Sequence, residues 1–210
     1  MTRGSTILAD EVERTTGSHA AALPTLIARA LARAELSIGD LDAVAVSIGP
    51  GSFTGLRVSL ALAKGLVFAG GLALVAVPTL DALAHAADAP AGAVVCAALD
   101  ARKREVYAAL FRMTDDGQPE RLSPDLALAP AALAERLPAG CVLVGDAAEV
   151  YPDALGGCGI RAFATHHPRG GLVARLGAER LTRGSGDDPG SLEPAYVRPP
   201  EAELPRAGSR

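Results

Sequence analysis

Residues 44 to 68 read Val-Ala-Val-Ser-Ile, then Gly-Pro-Gly-Ser-Phe-Thr-Gly, then an almost uninterrupted apolar run from Leu56 to Phe68. Val44, Val46 and Ile48 form a short, β-branched stretch between Asp42 and Gly49-Pro50-Gly51, which predicts a buried strand. The loop then opens a helix, and Ser52 or Thr54 can cap it because a hydroxyl accepts a bond from a free N–H of the first turn. Glycines 49, 51 and 55 allow unusual dihedrals and let another group come close. Two readings stand side by side. Gly49, Gly51, Ser52, Thr54 and Gly55 make a candidate phosphate loop, since a strand, a glycine turn and a helix N-terminus together favour an anion. Against this, no Gly-Lys-Ser or Gly-Lys-Thr follows, and the spacing is G-x-G-x-x-x-G rather than the G-x-G-x-x-G of dinucleotide folds. The other reading is a tight connection between strand and helix.

The helix itself says more. Leu56, Val58, Leu60, Leu62, Leu66 and Val67 occupy more than one face, so it has to be covered twice. Gly55, Ser59 and Ala63 recur every four residues and make a row of small side chains along which a second helix could approach, while Arg57 and Lys64 share a different face. One side is expected on the sheet and another on a neighbouring helix, in this chain or a partner. The alternative is a wholly internal helix.

Working outward, 210 residues suffice for one large domain or two small ones with a packed core. Aromatic residues are only 3% and Trp is absent, so alanine and leucine fill the interior. A net charge of −4 leaves no overall positive field to gather a phosphate backbone, and if RNA is a partner another chain holds most of it. Cys96, Cys141 and Cys158 lack C-x-x-C spacing and read as buried thiols in a reducing compartment. The first fifteen residues are polar and charged rather than a signal peptide, and Lys64 and Gly70-Gly71 break the apolar stretches short of a membrane span. A soluble cytoplasmic protein with no membrane partner is expected.

Residues 5 to 13 read as a strand entered from a turn at Arg3-Gly4. Ser18 can cap an amphipathic helix over 18 to 34 with Leu23, Leu26, Ile27, Ala30, Leu31 and Ala34 on one side and a kink at Pro24. After Gly70-Gly71, Leu74 to Val77 supplies a strand and Thr79 caps a helix to about His85. Strand and helix alternate three times, which argues for an α/β fold with largely parallel pairing in residues 1–92. From Ala93 the pattern changes to two strands, 94–100 and 105–112, joined by Ala-Arg-Lys-Arg, then short helices at 130–137 and 146–154, a strand at 142–144 and a helix at 172–183. That predicts a second, smaller α/β lobe over 93–183. Residues 184–210 read as an extended, partly disordered tail.

Candidate chemistry is sparse. His19 in the first turn of its helix is a surface histidine or a functional contact. His166-His167-Pro168 has no third spaced ligand, and adjacent residues of an extended segment point opposite ways. Asp100 and Asp146 end strands, where carboxylates serve either catalysis or turns. Arg102, Lys103 and Arg104 form a solvated turn or an anion contact. Neither a nucleophile–base pair nor a catalytic residue set emerges.

Ser47 to Arg57, continuing through Ala63-Lys64-Gly65-Leu66, closely resembles the signature of the TsaB (YeaZ) family, bacterial proteins for making threonylcarbamoyladenosine in tRNA. Val77 to Ala84, Leu99 to Ala109 and Glu193-Pro194-Ala195-Tyr196-Val197-Arg198 support the match. The resemblance implies an actin-like, sugar-kinase-like (ASKHA) fold of two RNase H-like lobes and a non-catalytic scaffold that docks and activates the catalytic subunit TsaD. The TsaE ATPase joins them, a homodimer uses overlapping surfaces, and tRNA is reached only indirectly. No cofactor is implied beyond nucleotide within the assembly. The implied partner surface comprises the two long helices, with His19, Leu23, Leu26, Gly55, Arg57, Ser59, Leu62, Ala63 and Leu66. TsaD holds its metal through His-x-x-x-His in the helix after the third strand. Thr79 and Leu83 stand at those places here, so no metal site is expected. The family opens with a strand ending in Asp-Thr-Ser, and this chain starts at the turn after it, lacking roughly 5 to 8 residues, about one strand. That predicts an exposed sheet edge and removes a phosphate-contacting loop. The rival reading is a stand-alone ATP-dependent kinase or phosphotransferase using the 49–55 loop.

Overall fold

The chain begins with a hairpin of β1 (Thr2–Arg3) against β2 (Thr6–Ile7), closed beyond the strands by the Met1 ammonium on Ala9 O at 2.7 Å. The structure is a computed structural model that describes residues 1–13, 19–156, 161–163, 169–184 and 186–198. The strand expected over 5–13 is therefore cut to Thr6–Ile7. Beyond it the acidic residues leave the extended path for ion pairs, Glu11 with Arg29 and Arg33 at 2.7 Å each and Asp10 with Arg169 at 2.6 Å.

Helix α1 (His19–Ala34) includes Pro24 and precedes β3 (Ala43–Gly49), α2 (Phe53–Gly70), β4 (Ala73–Pro78) and α3 (Thr79–Ala84). β3 and β4 pair in parallel from Ala43 on Ala73 to Ser47 on Val77. Gly71, with φ 64°, ends α2 as a left-handed cap donating to Val67 O. Thr79 is the first helical residue rather than the cap expected of it, because its hydroxyl is bound to Ser47 Oγ at 2.8 Å.

The second sheet is built on β5 (Val94–Asp100), antiparallel to β6 (Val106–Met113). β7 (Pro119–Arg121) and β8 (Leu126–Leu128) both pair with β6; sequence patterning missed them because Pro-Glu-Arg and Leu-Ala-Leu are short and carry no β-branched residue, unlike Val142–Val144. After α4 (Pro130–Ala134), β9 (Val142–Val144) lies parallel to β5. The helix expected over 146–154 is two single turns, α5 (Ala147–Val150) and α6 (Pro152–Leu155), because Pro152 supplies no N–H to continue the first. β10 (Arg161–Phe163) extends the sheet beside β9. Cys96 and Cys141 are buried, and desolvation holds the Cys141 thiol up at about 11. Cys158, His166, His167, the side chain of His19 and residues 199–210 lie outside the described residues.

Helix α7 (Gly170–Thr182) departs from the expected division of the chain. It falls within 93–183, yet packs on β3 and β4. Period-two alternation explains how: Val44, Val46, Ile48 and Leu74 face α2, while Ala45 and Val77 face Val173 and Leu176 of α7. Gly177 permits the approach, since a Cβ there would stand 2.4 Å from Ala45 Cβ. Helix α3 ties this layer to the second sheet, with Leu80 and Leu83 fully buried against Val95, Phe111 and Val144.

The segment after α7 is not a loose tail as far as Arg198. Asp187 caps the outer edge of β4: its N–H donates to Leu74 O at 2.8 Å and its carboxylate accepts from Ala76 N–H at 2.7 Å, beside Arg180. Further on, Ala195 N–H donates to Ile48 O at 2.8 Å, and Arg198 pairs with Glu105 of the second sheet.

Two predictions follow from this packing. Gly177→Ala should destabilise the protein by ~1–3 kcal/mol by wedging α7 off β3, while Gly65→Ala on α2, where a Cβ meets nothing within 4 Å, should stabilise it by ~0.5–1 kcal/mol. Urea denaturation of both variants checks the contrast. Asp187→Ala should leave the Ala76 N–H without its partner, cost ~1–3 kcal/mol and open residues 186–198 to limited proteolysis before the rest of the chain unfolds.

Candidate functional site

Helix α2 is seated by one stripe. Leu56, Leu60, Ala63 and Val67 are buried, and the last three pack on Val46 and Leu74. Positions four apart drift around a helix of 3.6 residues per turn, and this drift corrects the expected row of small residues. Gly55 and Ser59 are half-buried, but Ala63, 4% exposed, has rotated onto the sheet. Ser59 Oγ is spent on the Gly55 carbonyl at 2.8 Å. Ala63 therefore belongs to the core and not to an open docking row.

The second covering that the apolar pattern demands is incomplete within this chain. α1 packs on α2, with Leu23 and Leu26 half-buried, but Val58, Leu62 and Leu66 remain partly open and Phe68 is 72% exposed. The wholly internal alternative is thereby excluded. Ala61 and Gly65 are exposed. Gly65 disfavours the helix by ~1 kcal/mol relative to Ala, and no described residue comes within 4 Å of a Cβ placed there. By length and composition only, with a mean hydropathy of 1.3, α2 could cross a membrane, more than its breaks at Lys64 and Gly70-Gly71 suggest. Sequence reading passed over Phe68 and Gly65. Their signal was available: a bulky apolar residue and a glycine on a helix already too apolar for one buried face.

At the N-terminal end, Ser52 is the cap, accepting from Gly55 N–H at 3.3 Å, and Thr54 is exposed. Among the glycines of the candidate phosphate loop, Gly49 has a packing reason inside the chain, while a side chain on Gly51 or Gly55 would meet only ordinary contacts. Gly49, at φ 121°, abuts the returning C-terminal segment, since a Cβ there would lie 2.5 Å from Ala195 O. A Cβ on Gly51 would touch Leu56, and one on Gly55 would stand 3.4 Å from Ser52 Cβ and Oγ. Arg57 lies back along the same turn, 4.1 Å above the Phe53 ring, with Nε donating to Tyr196 Oη at 2.9 Å, and Phe53 stacks on Tyr196 at 5.2 Å. A groove of about 300 Å³ runs beside them, lined by Arg57, Leu60 and Lys64 of α2 and by Leu192, Glu193 and Tyr196 of residues 186–198, which form a strap over the first layer. These contacts give Gly49 and Arg57 structural partners in the C-terminal segment.

The places that correspond to a paired-histidine metal site are filled otherwise. Thr79 is buried on Ser47, and Leu83 sits in the core shared by the two sheets. A hydroxyl already bonded and an alkyl side chain do not fit a metal. Among the described residues no group of three or more His, Cys, Asp or Glu gathers at metal-binding distance.

Against known proteins, residues 7–125 match the family model described as TsaD, tRNA N6-adenosine threonylcarbamoyltransferase. The chain is 36% identical over 121 residues to the tRNA threonylcarbamoyladenosine biosynthesis protein TsaB of Escherichia coli, covering 56% of this chain and 52% of that protein. It is 29% identical over 209 residues to TsaB of Bacillus subtilis, covering 96% and 89%. The match to TsaB of Haemophilus influenzae is 40% over 91 residues, 43% of this chain and 39% of the relative, so the chain spans about half or less of the Escherichia coli and Haemophilus influenzae relatives. Among solved structures, a Pseudomonas aeruginosa protein described as similar to peptidase YeaZ superposes with a TM-score of 0.77 at 28% identity over 89% of this chain and 87% of that one. YeaZ from the same organism gives 0.73 at 26% over 87% of each. With more than half its length inside the family model and TsaB and YeaZ proteins as its sequence and structural neighbours, the chain belongs to the TsaB (YeaZ) family of tRNA threonylcarbamoyladenosine biosynthesis proteins.

Proposed function

We propose that this chain is a non-catalytic, cytoplasmic scaffold subunit for synthesis of threonylcarbamoyladenosine at adenosine 37 of tRNA, one that docks and activates a TsaD-like catalytic subunit. Its two sheets correspond to the two RNase H-like lobes of an actin-like fold. The observation that supports the reading is the incompletely covered face of α2: an apolar helix with Phe68 exposed and Gly65 open lies beside α1 on the outside of the first sheet. Burial of such a face against another helix is the usual driving force for association, and a glycine lets the partner backbone come close. A TsaE-like ATPase joins the assembly, and a second copy of this chain competes for the same face. The buried Thr79 and Leu83 leave the metal-dependent transfer step to the partner.

The test is reconstituted threonylcarbamoyladenosine formation, scored by nucleoside mass spectrometry with the other components present and this chain added or omitted. Formation should depend on its addition. Gly65→Arg and Phe68→Asp, which alter exposed positions, should weaken binding to the catalytic subunit by at least about tenfold, ~1.4 kcal/mol, with the melting temperature unchanged or raised. Unaltered affinity in both variants would remove α2 from the interface. ATP turnover by the purified chain alone would instead favour the stand-alone kinase.

A further inference from the structure

The turn between β5 and β6 holds Arg102, Lys103 and Arg104 at φ 62°, 54° and 62°. Three successive left-handed residues with side chains are costly, because each Cβ crowds its own carbonyl. Elsewhere in the described chain positive φ is taken by eight glycines and by Glu35, so the sequence has a cheaper residue for this geometry and uses three cations instead. Backbone strain of this kind persists where the surroundings enforce it, and here they do. Ala101 N–H donates to Glu105 O at 3.0 Å and Glu105 N–H to Arg102 O at 3.1 Å. Asp100 accepts from Arg102 N–H at 2.9 Å and from the Tyr151 hydroxyl at 2.8 Å, while Asp146 accepts from Asp100 N–H at 2.7 Å. On the far side Glu105 is held by Arg198 of the strap.

We propose that this turn is a phosphodiester contact: it presents Arg102, Lys103 and Arg104 as a fixed basic fan to the backbone of the RNA on which the assembly works. The inference rests on the subunit reading above and goes beyond indirect access to tRNA. The acids of the turn are committed to the frame, since Asp100 is 8% exposed and Glu105 is paired, whereas the Arg102 side chain is 89% exposed even with Nε 3.5 Å from Asp100. Successive side chains on a helical turn point apart, so the three cations do not converge on one small anion and suit a chain of phosphates. Three charges are a minor share of an RNA interface, in keeping with a protein whose net charge is −4 and which leaves most of the RNA to another chain.

Amide spectra of the isotope-labelled full chain, titrated with unmodified tRNA, read this contact without any partner subunit. Residues 101–105 should shift at low salt. With a dependence of about 0.7 to 0.9 powers per phosphate contact, three contacts should lose about two powers of ten in affinity for a tenfold rise in salt. A triple variant, Arg102→Gln with Lys103→Gln and Arg104→Gln, should abolish the response with the rest of the spectrum unchanged. The corresponding triple glycine variant should also abolish it while melting higher than the native chain, which separates a binding role from a folding one. No shift at 101–105, or a shift with polyglutamate and none with tRNA, overturns the proposal. If the shifts fail while modification still depends on the chain, only the RNA contact falls. Shifts in a chain that modification does not need would sink the subunit reading instead.

Discussion

Two parallel strands are too few to make a stable sheet alone, and the first layer of this protein depends on the helix that returns from far downstream to close it. α7 covers the face of β3 and β4 that α2 leaves open, and it can do so because Gly177 sits directly over Ala45. The contact is between a residue without a side chain and one with a single methyl, so the helix axis lies close to the sheet and Val173 and Leu176 reach Val77 on either side. The strap then follows from the seat of α7. Having crossed the sheet, the chain emerges at the outer edge of β4, and Asp187 satisfies that edge with both its backbone and its carboxylate. From there Ala195 comes to Ile48, and Tyr196 reaches the first turn of α2.

Much of this was legible in the sequence wherever local physics decides the outcome. The run Val44 to Ile48, the cap at Ser52 and the stop at Gly71 are set by side-chain periodicity and backbone dihedrals, and they fall where the pattern puts them. The same holds for the parallel pairing of β3 with β4 and for the β5–β6 hairpin. Long-range contacts were not legible. Nothing in Leu172 to Leu181 says which sheet its apolar face will cover, and the choice is made by Gly177 meeting Ala45, residues far apart in the chain. Residues 8–13 also departed from the expected strand: their acids are held in ion pairs with Arg29, Arg33 and Arg169.

At the candidate site the sequence carried the family and the excess apolarity of α2, but not which face would be left open. A row of small residues at intervals of four looks like one stripe on paper and is a spiral on the helix. Gly55 lies at its outer end and Ala63 is already inside the core. The loop before α2 shows the complementary limit. Glycines near a helix N-terminus signal close approach by something, and the sequence cannot name it; here the strap carbonyl of Ala195 answers for Gly49.

Gly65 and Gly177 show how structure separates two meanings of one residue. Both lie inside helices, where glycine disfavours the fold by ~1 kcal/mol relative to alanine. At Gly177 the chain recovers that loss, because a side chain there would collide with β3. At Gly65 no contact among the described residues recovers it. The cationic turn at 102–104 differs from both: its backbone conformation is easier for glycine but is occupied by arginine and lysine, and hydrogen bonds at Asp100 and Glu105 hold it. A local cost that no described contact offsets, as at Gly65, directs attention outward, to what the residue meets in an assembly. Gly65 and the turn lie on surfaces of opposite chemistry, the open apolar face of α2 and the basic tip of the β5–β6 hairpin. The proposed partners differ accordingly, a protein helix for the first and a phosphate backbone for the second.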